Sequence, residues 1–117
     1  MFTVSGRTIR LSRGDTGIIA FSVEGVALTD ADRAVFSIRR PSGGILIQKV
    51  IAPENGRFYM PFINAETDRW KPGVYQWDIR IVLDARMQTD ERVTDGREVI
   101  TPWPPSLFEV IKVVGEV

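Results

Sequence analysis

Apolar residues recur at every second position through most of this chain, and clusters of Gly, Pro, Asp and Ser separate the runs. A period of two marks the half-buried β-strand, whose side chains point alternately to the two faces of a sheet. In Arg7–Leu11 the pattern sets Ile9 and Leu11 on one face. In Gly17–Val23, Ile19, Phe21 and Val23 oppose Ile18, Ala20 and Ser22. Arg33–Arg40 puts Ala34, Phe36 and Ile38 inward and Arg33, Ser37 and Arg39 outward. After a turn at Pro41–Gly44 comes Ile45–Ile51, and then Arg57–Phe62, which buries Phe58, Met60 and Phe62 if it is a strand. Pro61 has no N–H for a ladder, so this strand is expected near a sheet edge. The strongest signal is Val74–Leu83, where Tyr75, Trp77, Ile79, Ile81 and Leu83 share a face against Gln76, Asp78 and Arg80. The last run, Leu107–Val114, alternates poorly, because Phe108 and Val110 share a face with Lys112. A bulge and a two-sided environment both fit it.

Two connections stand out. Glu24–Asp32 reads as a loop with one helical turn capped by Thr29 or Asp30. The stretch from Asp84 to Ser106 is too long for a plain connection. Within it, Glu91–Ile100 reads as a small hairpin around Asp95-Gly96, a favoured two-residue turn. The expectation is an all-β chain: an immunoglobulin-like β-sandwich of about seven strands, a single domain over residues 1–117, with a hairpin insertion around 84–106. Tyr75 follows Pro72-Gly73 at the place of a tyrosine corner, and Trp77, two residues on, takes the place of the core cysteine of such folds. A closed small barrel is the rival architecture.

Composition narrows the chemistry. Lys plus Arg is 15 and Asp plus Glu is 15, so the basic excess that phosphate or anionic membrane binding draws on is missing, and neither nucleic acid nor membrane is expected as a partner. Histidine and cysteine are absent, which removes disulfides, thiolate nucleophiles, imidazole bases and ordinary zinc sites. The N-terminus lacks the apolar core of a signal peptide, and no apolar run has the length of a membrane span. Synthesis in the cytoplasm without export by the usual route is the expectation.

Candidate sites are then few. Arg13-Gly14-Asp15 has the form of a cell-adhesion signal, but Gly and Asp are default turn residues. The structural reading makes Gly14, Asp15 and Thr16 a turn between strands, with Gly14 at positive φ and the Asp15 carboxylate bonding amides ahead of it. Asp30 and Asp32 suggest calcium, but the six to eight oxygen ligands such an ion takes are not visible, and a capped turn is preferred. The acids of the 84–106 segment interleave with Arg86, Arg92 and Arg97, as on a solvated hairpin. No residue is singled out as catalytic, cofactor-binding or metal-ligating, and no enzyme is expected. Trp70 and Trp103 are placed by no alternation. Trp103, between prolines, either plugs one end of the sandwich or anchors a partner. Met87, Val93, Val99, Ile100 and Trp103 bring more apolar mass than a solvated loop needs, and they are the expected partner surface.

Three stretches carry a resemblance: the Gly14-Asp15-Thr16 turn leading into a strand, the loop from Leu28 to Ala34, and the corner from Thr67 through Pro72-Gly73-Val74-Tyr75 to Asp78. Together they resemble small domains of tailed bacteriophages and prophages, in particular the N-terminal domain of the siphophage baseplate upper protein. The resemblance spans Arg10 to Leu83 and rests on turns. It implies a non-enzymatic virion component of a tail or baseplate, made in the bacterial cytoplasm. It implies protein partners, either other tail or baseplate proteins or further copies of the chain. The alternative is a carbohydrate-binding or adhesion module on the same sandwich, which needs two or more aromatics on one exposed face; Trp70, Trp103 and Tyr59 are its candidates. A small hydrolase or isomerase needs a cleft of convergent polar groups.

Overall fold

Alternation sets the inner faces of two sheets in a computed structural model that describes residues 2–22, 25, 27–87, 93–96, 98–100 and 105–111. In chain order the elements are β1 (Phe2–Ser5), β2 (Thr8–Ser12), β3 (Gly17–Phe21), β4 (Arg33–Arg39), β5 (Ile45–Ile51), β6 (Phe58–Phe62), α1 (Asn64–Thr67), β7 (Gly73–Leu83), β8 (Arg86–Met87), β9 (Val93–Asp95), β10 (Glu98–Ile100) and β11 (Ser106–Ile111). The large sheet runs β1-β2-β11-β7-β4-β5, and β10 pairs with β7 as well. Its ladders are antiparallel except β2 with β11, which is parallel. The second sheet is β3 with β6, antiparallel, from Gly17 opposite Phe62 to Phe21 opposite Phe58. Among the described residues no ladder joins the two sheets, an arrangement compatible with a β-sandwich. β3 and β6 face β4, β7 and β11 as strands B and E face C, F and G in an immunoglobulin-like sandwich, and β5 extends the C edge. The seven expected strands are β2 to β7 and β11; β1 and the short β8, β9 and β10 are additions.

The core lies between the sheets. Phe36, Ile38, Trp77, Ile79 and Phe108 from the large sheet meet Phe58, Met60 and Phe62 from the small one. The expected inward residues of β7 are all buried, from Tyr75 to Leu83. Trp77 stacks on Phe36, with centroids 5.5 Å apart at 21°. The Tyr75 hydroxyl donates to the Lys71 carbonyl at 2.5 Å, closing a tyrosine corner across Pro72-Gly73. β11 alternates cleanly as far as Ile111, with Phe108 and Val110 buried and Leu107 outward; Lys112 lies outside the described residues. Trp70 finds its place in the core, edge-on to Phe108 at 5.7 Å and to Phe62 at 6.2 Å.

Two local expectations are corrected. Residues 27–32 form a turn and no helix: the Asp32 amide donates to Thr29 O, the Ala31 amide to Thr29 Oγ1, and the Thr29 amide to Asp32 Oδ2. The one helix among the described residues is α1, which no period in the sequence announced. The hairpin beyond β7 pairs β8 with β9 (Arg86 opposite Asp95, Met87 opposite Val93), while β10 pairs with β7 (Glu98 opposite Leu83, Ile100 opposite Ile81). Asp95-Gly96 is therefore not a two-residue turn between paired strands. Gly96 is needed for another reason: a Cβ there would stand 2.5 Å from both Leu83 O and Val82 Cγ1.

Candidate interaction site

The Arg13-Gly14-Asp15 tripeptide is built into the fold. Gly14 has φ +90°, a region that costs an L-residue strain. The Asp15 amide donates to Ser12 O at 3.0 Å, and the Ser12 amide donates back to Asp15 Oδ2 at 3.1 Å. The carboxylate bonds an amide behind it, where bonds to amides ahead were expected, because β2 delivers Ser12 across the tight turn. α1 holds the turn from the other side. Asn64 Nδ2 donates to Gly14 O and Thr67 Oγ1 to Asp15 O, both at 2.8 Å. The Arg13 amide donates to Ile111 O, tying the turn to β11. Thr16 is exposed and leads into β3.

The acids weighed for calcium also bond locally. Asp32 is 2% exposed. Its Oδ2 accepts the Thr29 amide at 2.7 Å and its Oδ1 the Asp84 amide at 2.9 Å. A chain crossing from β7 into the next segment, with Asp84 at φ +49°, is thereby tied to the entrance of β4. Among the described residues no group of three or more His, Cys, Asp or Glu side chains is arranged to hold a metal ion.

The expected partner surface divides. Ile100 is partly buried against the core through the pairing of β10 with β7, so it serves its own sandwich. Val99 points away and is 45% exposed. Met87 and Val93 lie in β8 and β9, but their side chains, like all of Trp103, lie outside the described residues.

A surface that the strand pattern contained but that was not singled out lies on the outer face of β3–β6. Outward positions there pair Ile18 with Pro61 and Ala20 with Tyr59. Ile63 continues the outward series just past β6. Ile18 is 66% exposed, Ile63 51% and Tyr59 39%, and Ala20 and Pro61 are exposed too. The face carries no charged side chain at these positions. The outer face of the large sheet carries paired polar groups as well as exposed Val74 and Leu107: Arg10 pairs with Glu109 at 2.9 Å, Arg39 stands 3.9 Å from Asp78, and Gln48 donates to Ser37. β3 and β6 each have one strand neighbour among the described residues. Lys49, which points inward from β5, covers part of one edge: its Nζ donates to Pro61 O at 3.0 Å and pairs with Glu66 at 2.5 Å. An inward charge at an edge strand is a common guard against unwanted pairing. Part of the signal for this face was present in the alternation: Ile18, Ala20, Tyr59 and Pro61, opposite the core-facing set within β3 and β6, are apolar or aromatic.

Comparison with protein-family models, with curated proteins and with solved structures finds no match for this chain.

Proposed function

We propose that this chain is a non-enzymatic structural protein that works by protein–protein assembly, a tail or baseplate component of the tailed-phage and prophage class that its turn motifs resemble. The observation that supports assembly is the outer face of β3–β6. Ile18, Ala20, Tyr59, Pro61 and Ile63 place five exposed apolar or aromatic side chains on one face, and clustered apolar exposure of this kind on a monomer is commonly functional. Strand edges beside it supply the main-chain groups by which one sheet adds to another. Balanced charge lets subunits approach without net repulsion. The sugar-binding reading is weaker because Trp70 is 5% exposed within the core and cannot stack on a sugar ring.

The test is co-expression with the proteins encoded by adjacent genes, followed by size-exclusion chromatography with light scattering. A complex is expected that Ile18→Glu dissolves while the isolated variant melts within about 3 °C of the wild type, as surface substitutions generally do. A chain that stays monomeric with every neighbour, or a complex indifferent to Ile18→Glu, would overturn the proposal.

A further inference from the structure

One end of the sandwich is basic. The turn between β4 and β5 and the loop from α1 into β7 border a cleft there of about 610 Å³. Arg40, Arg69 and Lys71 line it, and among the described residues no carboxylate does. All three are exposed, and none makes an ion pair with an acid among the described residues. In a chain whose acids and bases balance at 15 each, three cations in one hollow with no ion-pair partner among the described residues are a local excess. The acid in the adjoining hollow that Arg69 also lines is Glu66, and Lys49 already engages it.

Both basic loops are set before any ligand arrives. Arg40 Nη1 donates to Ile45 O at 3.0 Å, and the turn is closed by the Arg40 amide on Gly44 O at 2.7 Å and the Gly43 amide on Arg40 O at 2.8 Å. Across the cleft, the Tyr75 hydroxyl holds the Lys71 carbonyl. Prior order lowers the entropy lost on binding. Beside the cations the wall is apolar. Val74 and Tyr75 continue from the cleft into a second hollow that Leu107 lines. Val74 is 52% and Leu107 51% exposed, so they form an open apolar shelf next to the charge.

We infer that this cleft binds an acidic peptide segment, with carboxylates on Arg40, Arg69 and Lys71 and a neighbouring apolar side chain on the Val74–Leu107 shelf. The guanidinium fork matches a carboxylate with two parallel hydrogen bonds. A partly enclosed site strengthens such pairs over those on open surface. Nucleic acid fits less well: its affinity comes from many neutralised phosphates along a track, and three cations beside an apolar shelf supply no track. The site shares no residue with the β3–β6 face, so either can fail without the other.

The test is fluorescence anisotropy on the full chain with a labelled, N-acetylated peptide of alternating Glu and Leu. Arg69→Gln combined with Lys71→Gln is expected to weaken binding about tenfold or more, and a peptide with Gln for every Glu should lose as much. Raising salt from about 50 mM to about 300 mM should weaken it several-fold. Leu107→Ser should weaken the Glu/Leu peptide but leave a Glu/Ser peptide unchanged, which a merely electrostatic site would not show. Circular dichroism melting of each variant separates lost binding from lost fold. The inference is overturned by undiminished binding in the double variant, by no saturable binding up to about 1 mM peptide, or by inorganic polyphosphate binding as tightly as the peptide and indifferent to Leu107→Ser.

Discussion

Trp77 joins three parts of the molecule. Its ring stacks on Phe36 of β4, its indole N–H donates to Arg7 O in the β1–β2 turn at 2.8 Å, and it is 4% exposed. Truncation to Ala removes the packing and leaves a cavity, so Trp77→Ala is expected to cost about 3–5 kcal/mol in urea unfolding. Trp77→Phe keeps an aromatic ring and loses the indole donor to Arg7 O, and should cost less. A cost below about 1 kcal/mol for the Ala variant would mean that the site collapses around it. This residue was legible because alternation alone decides which way a strand side chain points. Trp70 was not: it lies outside any strand, and only the meeting of Phe62 and Phe108 in space makes a slot for it. The Asp15 carboxylate was half legible. Its residue type announces a local backbone bond, but which amide donates to it depends on how the turn folds back.

At the scale of elements, Asp32 ties the start of β4 to the end of β7. Asp32→Ala leaves the Thr29 and Asp84 amides without their acceptor, and an unsatisfied group of this kind costs about 1–3 kcal/mol. Asp32→Asn retains one acceptor oxygen and should fall between wild type and Ala; equal thermal midpoints for all three would show that solvent serves these amides as well. The long strands were legible in the sequence, since five to eleven alternating residues leave little choice of register. The short ones were not. β1 offers Phe2 and Val4, but only Phe2 packs toward the core, over Gly17, where a Cβ would stand 2.5 Å from the ring. β8 to β10 are two or three residues each, too few for a period to declare itself. Gly96 misled for a physical reason: glycine answers both a need for positive φ and a need for close approach, and a sequence does not distinguish them.

Across the whole molecule, β10 and β11 lie along the same edge of β7, at Ile81–Leu83 and Gly73–Trp77. The segment after β7 thus completes the sheet besides carrying a hairpin. Replacing Glu98–Ile100 by Gly-Ser-Gly is expected to lower stability by about 1–3 kcal/mol through the lost burial of Ile100. An unchanged melting temperature would make β10 dispensable to the fold. The candidate faces were less legible than the strands for a reason of scale. Ile18 and Ala20 are ordinary outward residues until β3 is known to pair with β6, and only then do they join Tyr59 and Pro61 in one patch. Arg40, Arg69 and Lys71 are scattered in sequence and become a cluster only when two loops meet.

The parallel ladder between β2 and β11 sets how this domain would answer a pull. Draw Phe2 and Ile111 apart, and β1 peels from β2 first, one hydrogen-bonded pair at a time, because a hairpin is loaded as a zipper. The tension then reaches β2 at Thr8 and β11 at Ile111. Since the two strands run the same way, they are drawn in opposite directions along a shared ladder. Ile9 to Ser12 and Phe108 to Ile111 are then sheared together instead of in succession. Resistance of this sort is governed by the barrier to unfolding, not by equilibrium stability. The two ladders sit in series: a soft hairpin that yields and absorbs slack, and behind it a stiff joint that holds.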